Sequence, residues 1–495
     1  MTNNTQINHS GISQTTNYIK NAFFEAPLWL PKWMANNIML AIIVIIAAVG
    51  LPFMQQTMDW YNWVLCMVGI SSFCYFSHTL PKTWGRYSRP SFEKHIFWMT
   101  FVLRLLWILF FSQLTFWLWD TPWEQPEGTS MDSSAYYATA TWFASMMQDG
   151  TFWTEISKMD ANSGIADLGY PIMLAILQVL GLDSILWTRI PNCIFEAVVC
   201  LMVYRIATRN FGEAVGRLGA IFTMLMPLTF MYAGITMKES MMIMLFMLCI
   251  NQMDQIVRGE KKGFWHVCGA IVLVISISFF RTSMALILIT AFLLGLLLIE
   301  NKRSKWVNRL LTLLLIVAAG FMFANELLVV QVSEIQSGIE MSEGNFRVRA
   351  RTNALVENFS KAMFAPMIFT VPFPTMVEIP GQTWQQLCSG GNFIKNIMSY
   401  MVILLFVMLL MQNKWRPYTF PIAALCGYLM SLVLSSFAHS GRFHEPAVPL
   451  ELMFAAAAMQ LYPQQIKRLW RPALFFEVLV VVAWNWFKLK GRGLI

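Results

Sequence analysis

Apolar residues run in long uninterrupted stretches separated by short polar segments, at 35–53, 60–77, 96–118, 185–207, 217–233, 239–256, 264–281, 283–300, 309–328, 396–412, 418–437, 445–461 and 473–488. A helix needs about 20 such residues to cross ~30 Å of hydrocarbon, where its backbone finds no partner except itself. The pattern predicts an all-α polytopic membrane protein with about 13 transmembrane helices. One apolar stretch is set apart. Residues 170–180 (YPIMLAILQVL), bracketed by Gly169 and Gly181, extend only about 17 Å as a helix, so they read as a helix lying at, or dipping into, the membrane surface.

Charge orients the spans. Lys82, Arg86, Arg89 and Lys94, then Arg205, Arg209 and Arg217, then Arg258, Lys261 and Lys262, then Lys302, Arg303, Lys305 and Arg309, then Lys414 and Arg416 all fall on one side if the N-terminus is cytoplasmic. The opposite side receives 119–168, where Asp120, Glu124, Glu127, Asp132, Asp149, Glu155, Asp160 and Asp167 face Lys158. Counting 170–180 as a span would move Arg205, Arg209 and Arg217 outside. Lys488, Lys490 and Arg492 end up outside against this rule, so either the span at 473–488 does not cross or its short tail is tolerated. The expected location is the plasma (inner) membrane, multi-pass.

Composition fits. The residues AVILMFWYC make up 57% of the 495 and charged residues only 13%, against roughly a quarter charged in soluble domains. That excludes a cytosolic enzyme, a secreted disulfide scaffold and a nucleic-acid-binding protein. The net charge of +8 is distributed in the clusters between spans, a membrane signature. Cys66, Cys74, Cys193, Cys200, Cys249, Cys268 and Cys426 lie in apolar stretches without a C-x-x-C pair and read as small buried hydrophobes. Residues 1–34 are polar and mixed, so the first span is expected to target the chain. The expected organisation is a cytoplasmic N-terminus with two extra spans (1–95), a catalytic membrane core (96–328) with its outer loop 119–184, a second outer loop (329–395) and C-terminal spans (396–495).

Neither outer loop is long enough for a nucleotide-binding domain, and no phosphate-binding glycine motif occurs. Any chemistry must therefore use side chains held against the membrane. Asp132 precedes a stretch in which Tyr136, Ala140, Phe143 and Met147 recur on one helical face. It is placed either as a plain N-cap of a surface helix or as a carboxylate base at the water boundary. Lys238 and Glu239 sit at the outer mouth between two spans, as snorkelling side chains or as functional groups. Arg189 (LWTRIPN), Arg281 (FFRTS) and Arg442 (HSGRFHEPAVP) occupy outer ends where the positive-inside rule disfavours them. Their planar forks suit phosphate oxygens, or else lipid headgroups. Arg347, Arg349, Arg351 and the aromatic, proline-rich 369–384 belong to the second loop. His439 and His444 lack metal-ligand spacing, and Arg104 and Glu196 could pair within the membrane.

In order and spacing these pieces resemble the GT-C superfamily of integral-membrane glycosyltransferases, near the protein O-mannosyltransferase and aminoarabinose-transferase branch. The resemblance runs from about 96 to 461. It comprises the acidic first outer loop with Asp132 and Tyr136, GYPIMLAILQVLG followed by LWTRIPN, YRIATRNFGEAVGRLGAIFTMLMPLTFMYAGITMKE, the arginine of FFRTS, and SGRFHEPAVPLELMFAAA, similar to an R-[FY]-x-x-P-x-x-P closing segment.

The resemblance implies transfer of a sugar from a polyprenyl-phosphate carrier to a glycan, lipid or protein acceptor on the outer face. Asp132 and Glu239 occupy the family's acidic positions. Serine follows Asp132 where the family often has an Asp-Glu pair, so the resemblance assigns no definite cofactor and leaves a divalent cation open. Arg281 corresponds to a cation associated with the lipid phosphate. A phosphate leaves readily as an anion, so cations rather than a proton donor should assist it. The acceptor hydroxyl needs a base, and one carboxylate suffices for an inverting displacement. Asp132 is then the base and Glu239 either orients the acceptor or serves as a second acid, with Lys238, Arg281, Arg442 and Arg189 toward phosphate and Tyr136 beside them. Two other readings are an O-antigen polymerase or ligase-like enzyme and a transporter or lipid flippase.

Overall fold

The computed structural model describes residues 27–124, 132–158, 167–261, 263–298, 367–377, 389–434 and 440–491. Among these residues the chain is helical, and a bridge between Thr57 and Val377 is the one extended pairing. The predicted span 309–328, Arg347, Arg349, Arg351 and His439 lie outside the described residues.

The first three apolar runs form α1 (Lys32–Ile45), continued by a π turn to Gly50, α2 (Trp60–Trp84) and α3 (Arg89–Trp119). Ser88 caps α3 by accepting the Ser91 N–H at 3.4 Å, with Pro90 in the first turn. Asp120, left-handed at φ 52°, ends it. The loop that follows folds into α4 (Asp132–Gln148), α5 (Phe152–Lys158) and α6 (Gly169–Val179), with α6 packed along α4. At 11 residues, α6 is too short to cross, as its sequence predicts. Ala140 and Phe143 of α4 are buried, with Tyr136 and Met147 half-buried beside them, so the predicted face is the one α4 buries.

The centre is built from α7 (Ile185–Phe211), α8 (Glu213–Leu225), α9 (Pro227–Ala233) and α10 (Glu239–Val257). The expected single span 217–233 is broken: Pro227 has no N–H to continue the ladder, and α8 and α9 meet at 53°. Then come α11 (Phe264–Ser278), α12 (Thr282–Leu298), α13 (Ser389–Met411), α14 (Thr419–Leu434), the single turn α15 (Gly441–His444), α16 (Val448–Leu461) and α17 (Pro463–Gly491). Helix α16 is buried along nearly its whole length and packs on α8, where Gly219 lets the Met453 backbone and Ala456 approach closely.

This is an all-helical polytopic membrane protein. Seven described helices are long and apolar enough to cross, or eight if the bent pair is one span, where the sequence pattern suggested about 13. One predicted span, 309–328, lies outside the described residues, and the rest of the difference is length. Helices α11, α12, α14 and α16 coincide with predicted spans but have only 15, 17, 16 and 14 residues. Helix α17 passes the length test and starts ten residues earlier than the apolar run, at Pro463. Leu106, Leu109, Phe110 and Trp117 of α3 remain exposed, as a lipid-facing surface requires.

The basic segments converge at one end. Arg205 pairs with Glu93, Arg209 with Asp254, and Arg217 donates to the carbonyls of Trp84 and Tyr87 at 2.8 and 2.7 Å. Arg258 reaches the Pro417 carbonyl at 2.8 Å. Four separate sequence clusters thus share one end, about 28 Å along α10 from Glu239.

Candidate active site

The opposite end gathers most of the charged side chains singled out in the sequence. Asp132 opens α4, Glu239 opens α10, and the α15 turn brings Arg442 between them. The Arg442 guanidinium donates through Nε to Glu239 Oε1 and through Nη1 to Asp132 Oδ2. Glu239 is buried at 1% exposure and Asp132 is open at 55%. One arginine therefore spans from the protein interior to solvent. Burial alone would lower the Arg442 pKa, but Glu239, Asp132 and Tyr136 outweigh it and hold the pKa well above the usual value. Tyr136, one turn along α4, lies within hydrogen-bonding reach of Arg442 and packs edge-on against Tyr170 at 5.6 Å. Burial first, then Glu239, raises the Tyr136 pKa.

A second cationic group adjoins the bridge. Lys238 donates to the Phe280 carbonyl at 3.1 Å and pairs with Asp167. Burial, followed by the charge of Arg281, pushes its pKa down to about 7, while Glu239 and Asp132 pull it upward. Arg281 donates to the Tyr428 hydroxyl at 3.1 Å and lies over the Phe443 ring at 4.7 Å. Arg442 approaches the same ring at 5.9 Å. Phe443 thus separates two guanidiniums by an aromatic face attractive to both. Tyr428 fixes the ring's backbone by donating to the Phe443 carbonyl at 2.7 Å.

Local backbone contacts explain the convergence. The N–H groups of Asp167 and Gly169 both donate to the Phe279 carbonyl, at 3.0 and 3.1 Å. A Cβ on Gly169 would stand 2.6 Å from the Phe280 ring, so only glycine lets α6 seat there. That seating delivers Asp167 to Lys238.

Arg189 occupies a different position. It is 1% exposed and donates to Ser112 at 3.1 Å, the Pro122 carbonyl at 2.7 Å and Thr236 at 3.4 Å. Its fork pins the start of the first loop to α7. Arg104 and Glu196 are both fully buried, but Arg104 donates to Thr229 at 2.6 Å and lies on the Phe230 ring at 3.6 Å. The expected direct pair is absent because both Glu196 oxygens lack a hydrogen-bond partner.

Residues not singled out also enter: Asp167, Tyr170, Tyr428, Phe443 and Glu445. Phe443 and Glu445 flank His444 in the closing segment, and spacing from Arg442 was the available signal. Tyr428 carries no such signal, since it lies within an apolar run.

No group of three or more His, Cys, Asp or Glu side chains suited to a metal converges among the described residues.

Residues 168–328 match the family model described as Dolichyl-phosphate-mannose-protein mannosyltransferase, a GT-C type glycosyltransferase domain. The matched segment contains Arg189, Lys238, Glu239 and Arg281, while Asp132, Tyr136 and Arg442 lie outside it. No curated protein matches the chain. The match supports a membrane glycosyltransferase that uses a polyprenyl-phosphate-linked sugar.

Proposed function

We propose that the protein transfers one sugar from a polyprenyl-phosphate donor to an acceptor hydroxyl on the outer face of the membrane, with inversion at the anomeric carbon. The observation that supports this reading is the Arg442 bridge, which brings Asp132, Glu239, Tyr136 and, across Phe443, Arg281 to one end of the bundle. Asp132 is the base: it is solvent-reachable and pairs with Arg442 at rest. Arg281 and Lys238 receive the donor phosphate, and that anion competes for Arg442. As Arg442 turns toward phosphate, Asp132 is freed to take the acceptor proton. The new bond forms from the acceptor oxygen to the anomeric carbon while the carbon–phosphate-oxygen bond breaks, its electron pair staying on phosphate. Glu239 orients the acceptor. The acceptor is a glycan, lipid or protein hydroxyl, and membrane lipid forms the surroundings.

A transport reading would rest on the ionisable groups buried among α13, α16 and α17. Those groups are engaged locally: Lys395 donates to the Val371 carbonyl, Glu477 accepts from Asn396 at 3.3 Å and Tyr400 at 3.0 Å, and Glu451 accepts from Ser399 at 3.3 Å, while Asn396 and Asn485 donate to the Pro372 and Pro374 carbonyls at 3.1 and 3.0 Å. They hold the 371–376 segment in place, and this favours a fixed scaffold.

The test is a panel of polyprenyl-linked monosaccharides and oligosaccharides given to the purified protein. Transfer from a monosaccharide carrier that Asp132→Ala abolishes supports the reading. Transfer only from oligosaccharide carriers favours a polymerase or ligase, and full activity in Asp132→Ala removes Asp132 from the mechanism.

A further inference from the structure

Two segments carry the acids of the proposed site: the first outer loop with Asp132, and the turn 233–238 that leads into Glu239. Both are fastened to the same two turns of α7. Arg189 donates to the Thr236 hydroxyl at 3.4 Å, and Thr188 shares a hydrogen bond with that hydroxyl at 3.2 Å. The Asn192 amide donates to the carbonyls of Ala233 and Ile235, each at 3.2 Å. Asn192 stands four residues from Thr188 and three from Arg189, so the three side chains share one side of the helix. They set the start of α10 and with it Glu239. The rest of the Arg189 fork reaches Ser112 of α3 at 3.1 Å and the Pro122 carbonyl at 2.7 Å. One buried guanidinium therefore holds both segments to one frame.

From that frame a second set of contacts runs to the base. Glu124, two residues past Pro122 and buried, accepts the hydroxyl hydrogen of Ser133, the buried neighbour of Asp132. The Trp123 N–H donates to Thr121 at 3.3 Å, and the Trp123 ring meets Tyr137 of α4 edge-on at 5.8 Å. The Tyr137 hydroxyl donates to the Asp183 carbonyl, just before α7, at 2.5 Å. The first turns of α4 are thus tied to α7 at points that do not involve Arg442.

The two supports of Asp132 differ in kind. Its pair with Arg442 lies on the solvent side, and exposed ion pairs hold little. Ser133 and Glu124 meet in the interior, where a lost hydrogen bond leaves a bare oxygen. In the reaction proposed above, the first support is withdrawn as Arg442 turns to the donor phosphate. The second remains.

We propose that Glu124 is a positioning residue: through Ser133 it holds Asp132 at the mouth of α10 after Arg442 has left. The role in transfer rests on the reading above; the anchoring of α4 does not. The contact needs an acceptor and no charge, so an amide carbonyl at this position preserves it. Loss of the anchor lets the base drift, and a misplacement of about 1 Å costs about 10²-fold in rate.

The experiment has two arms, both on the full chain in lipid nanodiscs. In the first, without substrate, backbone hydrogen exchange over α4 is followed by mass spectrometry. Exchange is expected to be roughly tenfold faster in Glu124→Ala and in Ser133→Ala, and near the wild-type rate in Glu124→Gln and Asp132→Ala. Ser133→Ala removes the same bond from its other end, so this arm is read even where Glu124→Ala does not accumulate. Exchange unchanged in Ser133→Ala, or raised as far by Asp132→Ala, would overturn the anchor.

The second arm measures transfer from the polyprenyl-phosphate-linked monosaccharide that the wild type uses fastest. In Glu124→Ala or Ser133→Ala, kcat should fall roughly 10–10²-fold with donor KM unchanged, and Glu124→Gln should restore it. A merely structural Glu124 would raise donor KM and lower the thermal midpoint together with kcat. That result, or a Glu124→Gln as slow as Glu124→Ala, would overturn the positioning role. A wild type that transfers no sugar would overturn that role along with the transfer reading, while the first arm still decides the anchor.

Discussion

Arg442 pairs with Asp132 across 310 positions of sequence. The same guanidinium pairs with Glu239 across 203 positions. The contact closes the bundle's end: it ties the first loop, through α4, to the break before α16, with the mouth of α10 between. A single side chain thus connects the catalytic base proposed above with a buried acid. Its two partners differ in exposure, so the two contacts differ in worth. The solvent-side pair with Asp132 is screened and weak. The buried pair with Glu239 is strong chiefly in what its loss exposes.

Arg442→Ala should therefore damage stability as well as transfer. It strands the Glu239 carboxylate at 1% exposure, a defect that costs about 3–5 kcal/mol when one partner of a buried pair is removed. The thermal midpoint in detergent should fall, and Glu239→Gln combined with Arg442→Ala should recover part of it. A midpoint unchanged by Arg442→Ala would mean the pair is not formed in the protein.

Asp132→Asn keeps shape and removes basicity. Loss of a general base typically costs about 10²–10⁴-fold in rate, so transfer should fall by that order while donor affinity changes little. Arg442 keeps Glu239 in this variant, so the thermal midpoint should stay close to wild type. A large drop in midpoint with modest loss of rate would reassign Asp132 to structure.

Much of this site is legible in the sequence because charge at the end of an apolar span is rare enough to be noticed. Asp132, Lys238, Glu239, Arg281 and Arg442 stand out for that reason. What periodicity does not carry is pairing across long separations: nothing local says that Arg442 selects Glu239, or that Arg189 spends its fork on the Pro122 carbonyl. Span ends are similarly elusive. The break at Pro227 is marked by its missing N–H, yet the apolar run continues through it, and hydropathy alone reads one span. Glu196 and Glu445 are visible as isolated charges, but their lack of partners emerges only when the helices around them are assembled.

Arg281 and Tyr428 give a test of the phosphate side. Arg281→Ala should raise KM for the donor by roughly tenfold, about the 1.4 kcal/mol of a charge-assisted hydrogen bond. Tyr428→Phe removes the hydroxyl that accepts from Arg281 and holds the Phe443 carbonyl, and should move KM in the same direction by less. An effect on kcat alone in Arg281→Ala would place it at the acceptor instead.

The threading has its own test. Arg86 and Ser184 are both exposed and lie in segments predicted for opposite faces. Cysteines there should be labelled by an impermeant reagent from opposite sides of sealed vesicles, measured against the parental protein. Labelling of both from one side would overturn the orientation. Ala175 of α6, in the same predicted outer segment as Ser184, would be a poor reporter because it is fully buried.

Lys238 should impose a pH dependence on donor binding. Burial and then Arg281 bring its pKa down to about 7, so the ammonium is present below that pH and lost as pH rises through it. A donor phosphodiester remains anionic throughout this range, so apparent donor affinity should decline above about pH 7. The sign of two variants follows. Asp167→Asn removes the carboxylate that pairs with Lys238, which favours the neutral amine and should move the decline to lower pH. Lys238→Arg stays charged across the range and should flatten it. The measurement is KM for the donor against pH in the three proteins; a decline that Lys238→Arg retains belongs to another group, and Lys238 would then not contact the phosphate.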